Sequence, residues 1–146
     1  MRFLLAGSFA ACIAAAFFAG AGFGAGQAKS KVTNLLHDSL SEEFTPGREV
    51  LVDLVEIPPN TSLDRHWHPG EEFHYYLEGD PEIQINGSAV KRPDLGTVGH
   101  VPFKALHRAG AGEAGAKILV FRVHTKGQPW RYLEDEKTEG PDAHRQ

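Results

Sequence analysis

The chain has 146 residues, of which 41% are hydrophobic, so it has the size and apolar content of one small domain with a single core. Its 15 basic and 19 acidic residues give a formal net charge of −4 at pH 7. This balance argues against nucleic acid or an anionic membrane surface as a partner.

The first 28 residues have the pattern of a secretory signal peptide. Arg2 is followed by an uncharged run of Ala, Leu, Ile, Phe and Gly over residues 3–23, and small residues follow that run. This order predicts cleavage after Ala28, with Ala21 as an alternative, and a periplasmic or secreted protein. The run also approaches the ~20 residues that cross a bilayer, so an uncleaved membrane anchor is the alternative interpretation.

Cleavage would change both the charge and the thiol content of the chain. Removing residues 1–28 takes away one basic residue, Arg2, and no acidic one, so 14 basic residues would face 19 acidic residues, a net charge of −5. The one cysteine, Cys12, would leave with the signal. The mature chain would have no disulfide and would depend on its core for stability.

The first clear strand pattern of the mature chain covers residues 49–57. Val, Leu and Ile alternate in part with charged residues there, which is typical of a half-buried strand. Pro58, Pro59 and Asn60 follow directly, and they end the predicted strand.

Residues 66–79 place three histidines and several carboxylates around one short turn. Alternate side chains of a strand share a face, so His66 and His68 can direct two ring nitrogens at one point. A Pro-Gly pair then supplies a turn, after which a returning strand can bring Glu72 beside the two histidines. Two neutral imidazoles and one carboxylate are ligands that a divalent transition-metal ion prefers, so this segment predicts part of a metal site.

Short strands separated by turns continue beyond this segment. Residues 81–85 lead into Asn86-Gly87, a two-residue hairpin signal, and are predicted to return through residues 88–91. No convincing helical periodicity interrupts the strands, so the pattern favours a sandwich or a barrel. Three further short strands are predicted, at residues 97–102, 106–109 and 117–124.

The histidine-rich segment resembles the first conserved motif of the cupins. That motif runs His-x-His, three residues, Glu, six residues, Gly. It is met in full by His66, His68, Glu72 and Gly79.

A later stretch resembles the second cupin motif, which runs Gly, five residues, Pro-x-Gly, two residues, His, three residues, Asn. Gly96, Pro102 and His107 fall on it, whereas Lys104 stands where glycine is usual and Ala111 where asparagine is usual. Neither departure falls on a metal ligand of the family, so the departures concern turn geometry more than the metal.

The resemblance covers about residues 48–124 and implies an all-β fold, the cupin-type double-stranded β-helix, which is a jelly-roll β-barrel. We therefore expect one cupin domain over residues 29–133. Residues 134–146 are polar and predict a flexible tail. Trp130 and Tyr132 are expected to fold back onto the barrel or to close its mouth.

The resemblance also implies the ligand set. It adds His107 to His66, His68 and Glu72 as ligands of one divalent ion, which would be iron, manganese, nickel, copper or zinc. Only the second motif places His107 with the other three ligands, because it lies far from them in the sequence.

Other polar side chains have weaker patterns. His74 has the strand parity of Glu72, so it is the candidate catalytic residue that would orient substrate or move a proton, with a hydrogen-bonded core histidine as an equal alternative. Glu71 is expected to face the opposite side and to be solvated. His100 and His124 are interpreted as structural.

The implied metal site resembles that of quercetin dioxygenase-like and other small metal cupins. Our first hypothesis is an exported metal-dependent oxidoreductase, dioxygenase-like, acting on a small organic substrate. A non-catalytic cupin that binds a small ligand or a metal is the second hypothesis, and a metal-dependent isomerase or hydrolase is the third. A small molecule is thus the expected partner, a homodimer is left open, and a membrane is expected only if the N-terminal segment is uncleaved.

Overall fold

The computed structural model describes residues 28–135. The predicted signal segment, apart from Ala28, and residues 136–146 of the predicted tail lie outside the described residues. The described part of the chain consists of strands, turns and loops without a helix, which confirms the all-β prediction. Residues 28–135 accordingly offer no helix with the length and apolarity needed to cross a membrane.

Seven strands make up the described chain. They are β1 (Lys31–Ser39), β2 (Arg48–Ile57), β3 (His66–Trp67), β4 (Gly70–Ile85), β5 (Val98–Val101), β6 (His107–Thr125) and β7 (Tyr132–Leu133).

The seven strands form one curled sheet. The long strand β6 runs through both halves of this sheet, which we call the first and the second sheet. Its C-terminal half pairs with β2 on one edge and with the N-terminal half of β4 on the other, and β1 and β5 complete this first sheet. Its N-terminal half pairs with β3 and with the C-terminal half of β4, and β7 extends this second sheet. All of these pairings are antiparallel, and apolar side chains of both sheets meet in one core. This is the predicted jelly-roll barrel.

The bend between the two sheets depends on glycine. The β4–β6 pairing is irregular next to Gly79, and both Gly79 and Gly115 have positive φ, of 82° and 69°. A Cβ on Gly79 would lie 2.1 Å from the carbonyl oxygen of Gly115, a distance that no side chain tolerates. The glycine that ends the first motif is therefore required for the close approach of two backbones at the corner of the barrel.

Strand alternation divides the barrel interior into an apolar part and a polar part. Tyr76 pairs in register with Ile118, and both side chains are buried in the apolar core. Four residues before Tyr76 on β4, and on the same side of the strand, Glu72 pairs with Arg122, and both of these side chains are also buried. Because buried polar groups need partners, the polar part of the barrel is where a site is expected.

Several predicted elements differ from the structure. Strand β1 was not predicted, because its side chains are mostly exposed and show no apolar alternation. The Asn86-Gly87 turn forms, with φ of 49° and 70°, and the predicted return through residues 88–91 is confirmed only as one antiparallel bridge between Ile83 and Lys91. The two strands predicted at residues 106–109 and 117–124 are parts of one continuous strand, β6, which begins at His107.

The Pro69-Gly70 turn also has a different role from the predicted one. It does not form a hairpin, because β3 pairs with β6 and β7 whereas β4 pairs with β5 and β6. The turn instead carries the chain from the second sheet to the first. A Cβ on Gly70 would lie 2.3 Å from the carbonyl oxygen of Val123, so this crossing also needs glycine.

Candidate metal centre

Three histidines converge inside the polar part of the barrel. His66 and His107 are directly opposite each other on β3 and β6, and their ring centroids are 4.5 Å apart. His68 lies two residues after His66, and its ring centroid is 4.9 Å from that of His66 and 5.3 Å from that of His107. One ring nitrogen of each lies within 4.8 Å of the others, so the three histidines form a cluster that can hold a metal ion.

Hydrogen bonds to the backbone fix the tautomer of all three imidazoles. The Nδ1–H groups donate to carbonyl oxygens: His66 to Asp64 at 2.6 Å, His68 to Trp130 at 2.6 Å and His107 to Ala105 at 2.9 Å. Each Nε2 is then left with its lone pair, and the buried Nε2 of His68 has no hydrogen-bond partner. A metal-binding histidine has this arrangement, because the bond at one nitrogen orients the lone pair of the other.

Glu72 lies beside this cluster. One carboxylate oxygen is 3.1 Å from Nε2 of His68, and the other is 3.3 Å from Nε2 of His107. Ligands about 2.1 Å from one ion lie roughly 3.0–3.4 Å apart when they are adjacent in octahedral or tetrahedral geometry. These two separations therefore fit a carboxylate that shares an ion with the histidines, and the donor set of the site fits a divalent metal.

A buried arginine holds the same carboxylate. Arg122 donates from Nε to Glu72 and from Nη1 to Asp53, and all three side chains are buried. Asn34 donates a further hydrogen bond to Asp53 at 2.8 Å. The two carboxylates exceed the one guanidinium by a negative charge, and a divalent cation would compensate that excess.

Burial and charge shift the protonation equilibria of the site. Burial, with coulombic repulsion from His107, lowers the pKa of His66 to about 3. Burial also lowers the pKa of His68. Burial by itself would raise the pKa of Glu72, but the charge of Arg122 holds that pKa well below its usual value. The interior thus favours neutral imidazoles at His66 and His68 and an ionised carboxylate at Glu72, which are the states that bind a metal.

These shifts predict that acid destabilises the metal-free protein. Below pH 6.5 the unfolded chain protonates His66 whereas the folded chain does not, so the unfolded state binds more protons and the free energy of unfolding falls as the pH falls. Glu72 acts in the same direction below pH 4.5. The slope that His66 contributes is at most about 1.4 kcal/mol per pH unit between pH 6.5 and pH 3.

Urea unfolding with a chelator at pH 7, 6, 5 and 4 measures this slope. The variant His66→Gln is the matched control, because it keeps a polar side chain that does not titrate. A wild-type slope no steeper than that of His66→Gln would contradict the assigned pKa shift.

His74 is adjacent to Glu72 on the same face of β4. Its Nε2 hydrogen-bonds a carboxylate oxygen of Glu72, its side chain is buried, and its Nδ1 has no hydrogen-bond partner. It also lines the small cavity beside the cluster. His74 thus contacts a residue of the candidate centre and presents an unpaired nitrogen, which is the arrangement expected of a group that orients a ligand or holds a proton.

The segment after β6 covers the site. Trp130 accepts the hydrogen bond from His68, and its ring lies 5.0 Å from the guanidinium carbon of Arg122. Tyr132 of β7 stacks on Trp67 with ring centroids 4.3 Å apart. Glu134, in the predicted tail, forms an ion pair of 2.9 Å with Arg65. We call residues 126–135 the C-terminal strap.

The strap leaves little space next to the histidines. The cavity lined by His66, Glu72, His74, His107 and Trp130 has a volume of about 20 Å³, roughly the space that one water molecule needs. Larger grooves of about 410 and 590 Å³ lie elsewhere on the surface and include none of the clustered histidines. We place the site at the small cavity, because the convergent polar groups are there.

Three other polar residues that the sequence singled out, Glu71, His100 and His124, lie away from the histidine cluster. Glu71 and His100 are on the outer face of the barrel, hydrogen-bonded to each other at 2.6 Å, with side chains 42% and 49% exposed. His124 is buried, and its Nδ1 donates to Glu49 at 3.1 Å. These three are outside the histidine cluster.

Asp53 and Arg122 were missed as residues of the site. The sequence contained a signal for both residues. Asp53 is two residues from buried Val55 on β2, and Arg122 is two residues from buried Val120 on β6, so each charged side chain points to the same side of its strand as a core residue. A charged residue at an inward position of each of two strands indicates a buried ion pair. Without the strand pairing, the sequence did not show that the two positions meet.

The sequence and the fold match known proteins in part. Residues 53–119 match the family model described as the cupin domain. No curated protein matches the chain in sequence.

Three solved structures illustrate the structural similarity, which at these identities concerns the fold alone. A cupin-like protein from Thermotoga maritima is 19% identical with a TM-score of 0.55, over 71% of this chain and 74% of that one. A predicted oxalate decarboxylase from the same organism is 21% identical with a TM-score of 0.52, over 65% and 80%. A DMSP lyase from Ruegeria pomeroyi is 20% identical with a TM-score of 0.53, over 60% of this chain and less than half, 45%, of that chain.

Proposed function

Since the chain belongs to the cupin superfamily, we propose that it is a metal-dependent oxidoreductase, dioxygenase-like, that binds one divalent ion and acts on a small organic substrate. The ion would be held by His66, His68, Glu72 and His107. Iron, manganese, nickel, copper and zinc all accept such a set of nitrogen and oxygen ligands. When bound, the ion would supply Lewis-acid or redox chemistry at its open positions.

One observation carries this proposal. All three clustered imidazoles donate Nδ1–H to a backbone carbonyl, and so all three offer Nε2 to the same buried space. Histidines that served only to fill a core would gain nothing from a shared orientation that leaves a buried Nε2 unpaired, because an unpaired buried polar atom costs about 1–3 kcal/mol. A bound cation removes that cost.

The charge of the interior supports an oxygen-bearing, anionic ligand. Asp53, Glu72 and Arg122 together carry one net negative charge, so a divalent ion would leave the centre with one net positive charge. A substrate that presents one carboxylate, enolate or phenolate oxygen would neutralise the remaining charge. Such substrates also bind hard and borderline metal ions through oxygen.

The side chains around the ion would have separate tasks. Arg122 and its partner Asp53 hold Glu72 in place, and the strap carbonyl of Trp130 orients His68. His74, which lines the cavity, would hold or move a proton at its Nδ1, the ring nitrogen without a hydrogen-bond partner. Trp130 excludes water, and an organic substrate would need the strap to move because the cavity of about 20 Å³ holds roughly one water molecule.

The small cavity also favours a second candidate, a non-catalytic cupin that binds a metal or a very small ligand. With the strap in this position, only a molecule of the size of water or dioxygen would fit beside the histidines. Oxygen consumption distinguishes the two functions. The purified protein, loaded in turn with each of the five metals, should take up dioxygen with at least one phenolic or dicarbonyl compound. Metal binding without turnover of any compound would favour the second candidate.

A comparison of Glu72→Gln with His74→Ala tests the ligand assignment. Glu72→Gln removes the negative charge next to the histidines, so metal affinity should fall at least about 10-fold while the barrel stays folded. His74→Ala should keep the metal and change only turnover or ligand affinity, by about 10 to 100-fold. Metal content after dialysis and thermal unfolding measure both effects.

Glu71→Gln is the matched control for this comparison, because Glu71 is the neighbouring carboxylate and faces outwards. It should leave metal content unchanged. If His74→Ala empties the site while Glu72→Gln keeps its full metal load, the carboxylate is not a ligand and His74 has taken its place.

We also propose that the protein is exported, on the pattern of residues 1–28. N-terminal sequencing of protein from the periplasm or the medium should find a start near Lys29. Protein that begins at Met1 in the membrane fraction would favour an uncleaved anchor.

A further inference from the structure

The cavity beside the clustered histidines comes close to the surface at one place. Val32 of β1 and Trp130 of the C-terminal strap line this cavity, yet they are 41% and 36% exposed, and Leu63 beside them is partly buried. The other lining residues in the described part of the chain are buried. Side chains that line a cavity and also reach solvent form a thin wall between the two. We call Val32, Leu63 and Trp130 the outer wall.

The ring of Trp130 is the part of the outer wall that can move. Its backbone is fixed, because its carbonyl oxygen accepts the hydrogen bond from His68 and because Tyr132, two residues later, stacks on Trp67. Its indole N–H, in contrast, forms no hydrogen bond within residues 28–135. Rotation of the ring about its side-chain bonds therefore opens the wall without releasing His68.

Two arginines contact this ring. The guanidinium carbons of Arg122 and Arg131 lie 5.0 Å and 5.2 Å from its centroid. Arg122 is buried in the cavity wall, and its charge is compensated by Asp53 and Glu72. Arg131 is half-buried, does not line the cavity and pairs with no carboxylate within the described residues. An uncompensated positive charge thus lies on the solvent side of Trp130.

We propose that the outer wall is the entrance to the metal centre and that Arg131 selects small planar organic anions there. This inference rests on the proposed function, in which a divalent ion leaves the centre with one net positive charge. The anionic group of the ligand meets the guanidinium of Arg131 first and then passes the ring of Trp130. The flat apolar body of the ligand packs against the indole and against Val32 and Leu63, which have no charge to offer.

The charge of the whole chain makes this single arginine important. The formal net charge is −4, so the average field of the protein repels an anion. The other charged pair near the end of the strap, Arg65 and Glu134, is compensated internally. A free positive charge at the entrance raises the local concentration of anions, and salt weakens this effect.

The rate at which two flat aromatic chelators remove zinc from the loaded protein tests the selectivity. Pyridine-2,6-dicarboxylate is a dianion at neutral pH, whereas 1,10-phenanthroline is uncharged. In about 0.01 M salt, Arg131→Gln should slow removal by the dicarboxylate roughly 10-fold, since one unit charge about 5 Å away changes the local concentration of a monoanion about 4-fold in water. Removal by phenanthroline should be unchanged. Arg131→Lys should restore the wild-type rate, and about 1 M salt should abolish the difference.

Arg92→Gln is the matched control for this charge change. Arg92 is an exposed arginine bound to Glu82 and lies outside the cavity wall, so its loss should alter neither rate. The proposal is overturned if Arg131→Gln slows both chelators equally or neither of them. It is also overturned if zinc removal does not depend on the concentration of the dicarboxylate, because that chelator then does not enter.

Trp130→Ala tests the position of the entrance. This change removes the ring but keeps the carbonyl group that accepts the bond from His68, so both chelators should remove zinc at least about 10-fold faster. Phe103→Ala is the control, since Phe103 is also an exposed aromatic residue, 42% exposed, and does not line the cavity. Unchanged rates in Trp130→Ala, with a wild-type thermal transition, would place the entrance elsewhere.

Labelling of an introduced thiol tests the same charge selectivity without a metal. The sequence has one cysteine, so Leu63→Cys combined with Cys12→Ser carries a single thiol, in the outer wall. Addition of Arg131→Gln should slow its reaction with the anion 2-sulfonatoethyl methanethiosulfonate about 4-fold, and should not change its reaction with neutral methyl methanethiosulfonate. A protein that binds no zinc would contradict the proposed function. A sulfonate reaction that does not respond to Arg131→Gln would contradict the selection of anions by Arg131.

Discussion

Replacement of Arg122 by Met is expected to lower the free energy of unfolding of the metal-free protein by about 3–5 kcal/mol. Arg122 is the shared partner of Asp53 and Glu72, and all three are buried. Met fills much of the same volume but leaves two carboxylates in the barrel without their cation. Urea unfolding in the presence of a chelator measures the change.

An exposed arginine provides the control. Arg92 forms an ion pair with Glu82 in which the arginine side chain is 75% exposed, so Arg92→Met should change the stability by no more than about 1 kcal/mol. A bound divalent ion should restore part of the stability of Arg122→Met, because it supplies positive charge next to Glu72. If the two variants unfold at the same urea concentration, Arg122 does not compensate the buried carboxylates.

Replacement of His107 by Ala is expected to reduce metal affinity at least about 100-fold, more than the loss of a group outside the ligand set. His107 is directly opposite His66, and it is the one member of the cluster that comes from β6 rather than from the segment around β3. Two histidines from a single short segment do not define a site for an ion that prefers four or more ligands. Isothermal titration of the metal-free protein with zinc, manganese or nickel measures the affinity.

His100→Ala is the matched control for this substitution. His100 is a histidine on the outer face, bound to Glu71, and its loss should leave the affinity for the metal unchanged. Thermal unfolding of both metal-free variants should show that the barrel persists. If His107→Ala keeps its full metal content, β6 contributes no ligand, and the assignment of His107 that rests on the second motif is wrong.

Local pattern predicted the strands that are buried on one side. Residues 49–57 and 117–124 alternate between apolar and polar side chains, and the structure confirms strands there. Strand β1 could not be predicted in this way, because it lies at the edge of the sheet and buries little. The return through residues 88–91 pairs less than predicted because a good turn signal specifies the turn and not the length of pairing beyond it.

Residue spacing and the family resemblance were enough to predict the histidines and the carboxylate of the site, but they did not predict the buried charges that surround them. The sequence by itself indicated that the side chains of His66 and His68 can meet on one side of an extended segment, since they are two residues apart, although β3 itself ends at Trp67. Its resemblance to the cupins supplied His107 and the barrel, which the structure then displays. The roles of Glu72 and His74 stay predictions.

Tertiary structure alone decided which distant residues surround these side chains. Asp53, Arg122 and Trp130 come from β2, β6 and the C-terminal strap, and they meet at Glu72 and His68 only because β6 pairs with β2 and β4 at once and the strap returns to β3. Strand parity tells which side of a sheet a residue occupies, but register between strands far apart in sequence depends on the packing of the whole core.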